Sequence, residues 1–160
     1  MEKKVIEALN EQINFELYSA YIYLNLSLLM EEKNYKGYSA FLAKHYEEEL
    51  DHAKQFIDYM HKRGVKPTLK DIHMEEFSDM EPVEVAKIVL EHEMQVTKRI
   101  FDIHDVSKNE DDYATEIFMH QFIEEQIEEE DLAREIVDNF TLACDNLAAR
   151  MIVDKELSSK

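Results

Sequence analysis

The chain has 160 residues, enough for one domain with a sizeable core and too few to require a second. Its formal net charge of −18 repels phosphate backbones and anionic lipid, which argues against nucleic acid or a membrane surface as partner and favours cations. A lone cysteine, Cys144, rules out an internal disulfide and fits a reducing compartment, so a cytoplasmic location is expected.

Only two Gly and two Pro occur, and strong helix formers are plentiful, so the fold class read from composition is all-α. The start runs straight into an amphipathic pattern without the apolar region of a leader. No later stretch approaches the roughly 18 uncharged apolar residues of a membrane span, so a soluble, unexported protein is expected.

The first predicted helix covers 5–32, where Ile6, Leu9, Ile13, Ala20 and Met30 recur at three- and four-residue steps. Glu16 and Tyr23 occupy the same stripe. A break at 34–37 turns the chain into a second helix over 38–63, with Leu42, Phe56 and Tyr59 inward; Gly64 and Pro67 stop it. Residues 65–81 show no periodicity. Fully extended, that segment could reach some 55 Å at about 3.3 Å per residue, while a helix of roughly 27 residues is about 40 Å long. It is therefore predicted to cross the bundle and set the third helix parallel to the second.

The third helix is predicted to begin near Pro82, with Ser78 or Asp79 as candidate caps. Val85, Val89, Val96, Ile100 and Ile103 make its stripe, and Glu93 interrupts it. A polar turn at 107–112 leads into a fourth helix over 113–140, with Phe118, Phe122, Leu132 and Ile136 inward and Glu125 and Glu129 on the same face. The last amphipathic piece, 145–157, is too short to join the bundle and is expected to pack elsewhere.

The chemistry lies in the interruptions. Glu49 and His52 form a Glu-x-x-His pair whose helical spacing aims both toward the core, and Glu16, Glu93 and Glu129 each break an apolar stripe on a different helix. With the second and third helices parallel, Glu49 and Glu93 stand at similar heights, and the other two helices pass the same level. Buried carboxylates raise their pKa values or demand a counter-charge, and no Lys or Arg lies on these stripes to supply one. A cation would. Oxygen-rich ligation with one imidazole suits iron or manganese better than a structural zinc site. Singly, each residue has an ordinary explanation: a chance Glu-x-x-His in an acidic chain, a core tyrosine at Tyr23, a polar helix residue at Gln126, a core or surface His45, a solvated acidic run at 124–131. Concurrence on four helices is what points to a site.

The segments Asn10 to Ser19, Glu47 to His52, Glu91 to Glu93 and Glu125 to Glu130 resemble the motifs of non-haem bacterial-type ferritins, and Asp154 to Ser158 resembles that family's last short helix. The ligand set is the one known from ferritin-like dimetal proteins. The resemblance spans nearly the whole chain and implies a single ferritin-like domain over 1–160: a four-helix bundle with a long crossover between its second and third helices and a short fifth helix. It implies that Glu16, Glu49 and His52 hold one iron and that Glu49, Glu93 and Glu129 hold a second, with Glu49 bridging, Gln126 beside the second iron and Tyr23 close to the pair. A third iron site using Glu48, Glu125 and Glu128 is implied as well.

By the same resemblance the chain is expected to be a ferroxidase, oxidising Fe(II) with dioxygen or peroxide and depositing ferric mineral in a hollow homo-oligomeric shell, usually of twenty-four subunits. Leu50 replaces the haem-ligating Met of bacterioferritins, and Gln126-x-x-Glu129 replaces their second Glu-x-x-His, so no haem is expected. One Cys excludes the four-Cys domain of rubrerythrins. The chain has no Trp, and Gln121 stands where relatives often carry one, which puts a tryptophan radical role in doubt. Two other readings stay open: a ferritin-like di-iron oxidase or peroxidase that stores no iron, and a metal-free acidic helical interaction protein.

Overall fold

A computed structural model describes residues 1–160 and contains five helices: α1 (Lys3–Glu32), α2 (Lys36–Lys62), α3 (Pro82–Asn109), α4 (Tyr113–Ala143) and α5 (Leu147–Leu157). The first four form the bundle. Side-chain pairs give their directions. Gln12 near the start of α1 pairs with Arg99, whereas Ser19 and Tyr23 further along pair with the earlier His92 and Glu93 of α3, so α1 and α3 are antiparallel. The tight turn after Glu32 makes α1 and α2 antiparallel too, as Ser27 against Ser39 near the turn shows. Hence α2 and α3 are parallel, and the crossover spans the bundle as its length demanded.

That crossover packs Val65, Phe77 and Met80 against the core near its two ends and is pinned by hydrogen bonds close to its start. Asn10 and Asn14, one helical turn apart on α1, both donate to the Thr68 carbonyl, at 3.0 and 2.9 Å. Their own carbonyls accept from the backbone N–H of Thr68 at 2.6 Å and of Lys70 at 2.7 Å. Two asparagines thus replace the ladder that an irregular segment lacks.

The helix ends differ from expectation in places. Glu81 caps α3 instead of Ser78 or Asp79, in a reciprocal box with Glu84 at N3. The third helix runs on through Asn109 into the predicted polar turn, and the fourth extends to Ala143. Asp112 caps α4 by accepting from Thr115 N–H at 3.2 Å. Gly64, with φ 74°, sits in the left-handed region that closes α2, its N–H donating back to His61 and that of Val65 to Met60. The short last helix packs over α2 and α4 at the end of the bundle. Ile6, Tyr59, Phe118 and Leu132, predicted inward, are only half-buried.

The core is split. One apolar cluster holds Leu26, Met30, Tyr38, Leu42, Val85 and Phe140, and the other holds Leu9, Ile13, Phe56, Met60, Ile100 and Met119. Between them, on all four long helices, lie buried Glu16, His45, Glu49, Glu93 and Gln126.

Candidate metal centre

The polar side chains of that middle layer are delivered by all four long helices, at positions where the apolar stripes break. Glu16 from α1 is 1% exposed; Gln12, one turn earlier, donates to its Oε1 at 2.7 Å. The other oxygen, Oε2, is buried and meets no partner. Glu49 and His52 come from adjacent turns of α2. His52 lies between two carboxylates, with Nδ1 3.3 Å from Glu49 Oε2 and Nε2 3.1 Å from Glu125 Oε1. Ligand atoms of Glu16, Glu49 and His52 all lie within 4.8 Å of one another.

On the other side, Glu93 from α3 accepts from the Tyr23 hydroxyl and, at 3.0 Å, from Gln126 Nε2. Glu129 from α4 meets His45 Nε2 at 3.2 Å, and the ring's Nδ1 donates to the Phe41 carbonyl at 3.0 Å. His45, Glu48 and Glu129 make a second group with ligand atoms within 4.8 Å.

Burial drives the electrostatics. It pushes the Glu16 carboxyl well above the usual range, and the neighbouring Glu49 carboxylate pushes it further. Glu49 is raised by burial and by Glu93 against the pull of His52; Glu93 is raised by burial despite the Tyr23 and Gln126 hydrogen bonds. Burial would lower His52, but Glu125, Glu49 and Glu16 outweigh it and raise the ring to about 11. Burial opposes ionisation of Glu129 too, yet His45 holds it below the usual range. Without a metal the cluster therefore disfavours charge on Glu16, Glu49 and Glu93 and favours it on His52 and Glu129, and a divalent cation would compete with protons for the same atoms.

The residues expected at a dimetal pair are thus brought into one layer by four helices. Those expected at a third site are not all brought together. Glu48 lies 3.7 Å from His45, Glu125 lies against His52, and Glu128 is exposed, outside every group of side chains close enough to share an ion.

Sequence reasoning undervalued four residues. His45 is buried against Glu129, and its i,i+4 spacing to Glu49 was the available signal. Gln12 has the same relation to Glu16. Arg99 reaches across from α3 to Gln12 at 3.1 Å, so a cation does approach the cluster, half-buried and one side chain removed. His92 is buried, donates to or accepts from Ser19 Oγ at 2.7 Å, and is lowered by burial to about 4.

A family model described as ferritin-like domain matches residues 6–143. The bacterial non-heme ferritin of Escherichia coli O6:H1 is 32% identical, covering 99% of this chain and 96% of that protein. The bacterial non-heme ferritin of Staphylococcus epidermidis is 30% identical over 100% of this chain and 96% of its own length. Among solved structures, an open pore ferritin from the hyperthermophilic archaeon Archaeoglobus fulgidus superposes with a TM-score of 0.97 at 36% identity, covering 100% of this chain and 99% of that one.

Proposed function

The chain belongs to the ferritin-like domain family, and from that premise we propose that it oxidises ferrous iron at the buried carboxylate layer and stores the ferric product as mineral within a shell of like subunits. The observation that carries this reading is the trio Glu16, Glu49 and Glu93: three buried acids with raised pKa values and one orphaned oxygen, a donor set whose chemistry suits a cation. Iron is the substrate here. Two bound ferrous ions supply one electron each to dioxygen or peroxide.

The chain's residues do the rest. Glu16, Glu49 and His52, whose ligand atoms converge, would hold one ion; Glu49, Glu93 and Glu129 would hold the other, with Glu49 shared and Gln126 fixing Glu93 through its amide. Anionic ligands stabilise the ferric product over the ferrous substrate, which favours oxidation. Tyr23 holds the second carboxylate in place and stands beside the pair. Glu48, Glu125 and Glu128 would lead iron away, and His45, whose ligand atom converges with those of Glu48 and Glu129, would share in that role. Leu50, not a thioether, follows Glu49, in keeping with a haem-free protein. A single ferritin-like unit over 1–160 and a cytoplasmic location, the latter supported by lone Cys144, complete the proposal.

The test is stopped-flow absorbance in the near ultraviolet on Glu49→Ala and His52→Ala. Each removes a proposed ligand while leaving the outer surface intact, so rapid Fe(II) oxidation should fall by at least about tenfold, the loss typical of a damaged metal site. Parental rates in both variants would place the chemistry elsewhere. Iron retained per subunit then separates storage from oxidation alone. A store holds far more iron than its side chains can ligate, whereas a non-storing oxidase holds no more than its ligand sites.

A further inference from the structure

Arg99 of α3 reaches the carboxylate layer without bonding to a carboxylate. Its Nε donates to Gln12 Oε1 and its Nη2 to the Glu11 carbonyl, both at 3.1 Å. The guanidinium also lies over the Phe15 ring, 4.2 Å from the centroid. Contacts to Glu11, Gln12 and Phe15, about one turn of α1, thus fix the head group of a half-buried side chain. Gln12 is fully buried and passes the contact on, its Nε2 donating to Glu16 Oε1 at 2.7 Å.

The chemistry of the amide leaves one arrangement. A guanidinium only donates and an ionised carboxylate only accepts. Between them a glutamine makes both hydrogen bonds one way round and neither the other way, so its oxygen faces Arg99 and its N–H faces Glu16. One Glu16 oxygen is then taken, while Oε2 is buried without a partner. Positive charge behind the amide polarises it and strengthens the N–H that it offers. A guanidinium bonded directly to Glu16 would instead occupy the lone pairs that a metal needs.

We propose that Arg99 is a positioning residue for an iron ligand: acting through Gln12, it holds Glu16 Oε1 and leaves Oε2 to face the ion. This rests on the iron site proposed above. It also accounts for a cation standing one side chain back, where its field favours the ionised ligand and none of its own donors competes with the metal. Without Arg99 the Gln12 oxygen would be a buried acceptor with no donor, and the amide would turn from Glu16 to seek one.

The test is a double-substitution cycle on the full chain. Ferrous iron is titrated into metal-free protein under nitrogen and its affinity read by calorimetry. The share of the dimetal layer is the binding that Glu49→Ala with His52→Ala abolishes. Arg99→Met removes the donors but keeps an apolar stem over Phe15, and affinity at the layer should fall by at least about tenfold. Gln12→Leu should cause a similar loss. In the Gln12→Leu protein, adding Arg99→Met should then change nothing further, because the two act as one chain. An Arg99 that works by charge or packing alone would show the same loss in both backgrounds. Should Arg99→Met melt well below the parent, Arg99→Lys keeps stem and charge, gives up the two-point hold, and carries the same cycle. Parental affinity after the change at Arg99, or an equal loss with and without Gln12, overturns the proposal. Admitting air afterwards keeps the oxidase reading separate: iron bound by the parent but not oxidised would contradict that reading and leave the positioning role standing, whereas no binding at the layer overturns both.

Discussion

Glu16 carries a cost that the rest of the cluster must cover, since one of its oxygens is buried without a partner and its carboxyl is raised by burial and by Glu49. The sign follows from linkage. An acid whose folded pKa exceeds its unfolded value binds more protons in the folded state, so its destabilising effect is absent below the unfolded pKa and grows as pH rises toward the folded one. In Glu16→Gln the metal-free protein should thus melt higher than the parent at neutral pH, by something on the order of 1–3 kcal/mol for relief of a buried unpaired group. The difference should shrink as pH falls into the ordinary carboxylate range. Reversible melts across pH on metal-free protein measure it, and a variant less stable than the parent at neutral pH would mean that the carboxyl is better satisfied than its geometry shows. At this scale the sequence was informative about what breaks a stripe and blind to what reaches across. Glu16, Glu49, Glu93 and Glu129 were legible because each is polar at an apolar position of its own helix. The links from His45 to Glu129 and from Arg99 to Gln12 join different helices, and periodicity within one helix cannot encode them.

Helix ends hold the elements in register, and the most informative one involves α5. Asp154 accepts from the backbone N–H of Gly37 at 3.1 Å and of Tyr38 at 2.8 Å, so a carboxylate from the last helix satisfies the first turn of the second. Its charge also lies at the positive end of the α2 dipole. Gly37 is there because nothing larger fits: a Cβ would stand 1.8 Å from the Asp154 carbonyl oxygen. Asp154→Ala should lower stability by about 0.5–2 kcal/mol, the usual loss on removing a helix cap, and should loosen α5 first. Urea melts give the first quantity, and limited proteolysis after Ala143 reports the second. Gly37→Ala should mimic the same loosening by steric means, although its own carboxylate cap is intact. Helix existence and order were legible from stripes and from the Gly64 and Pro82 punctuation. The capping residue of α3 was not, because Glu81 works only with Glu84 and the sequence offers Ser78 and Asp79 as the commoner cap types. Nor could the docking place of α5 be read, since Asp154 looks like an ordinary surface acid until Gly37 is seen beneath it.

For the whole molecule the question is what a subunit leaves uncovered. Leu142 is 82% exposed at the end of α4, and Leu147, Met151 and Ile152 on α5 are also exposed, while Ile117 near the start of α4 is 69% exposed. A chain with net charge −18 has ample polar residues to cover such positions, and it does not. Each buried leucine or isoleucine side chain contributes about 1.5–3 kcal/mol, and in a closed shell the same contact repeats at every equivalent interface. Acidic subunits repel one another, so apolar burial has to outweigh that repulsion, and salt should help by screening it. Leu142→Lys combined with Ile152→Lys should therefore shift the assembly to smaller species on analytical ultracentrifugation, with helicity unchanged, and raising the salt should restore only part of the mass. Neither substitution touches the carboxylate layer, so Fe(II) oxidation per subunit should persist while the iron retained collapses. That outcome would separate the two halves of the proposed function, chemistry within one bundle and storage between many. A doubly substituted protein that keeps the parental mass would show that these apolar side chains do not hold the shell together.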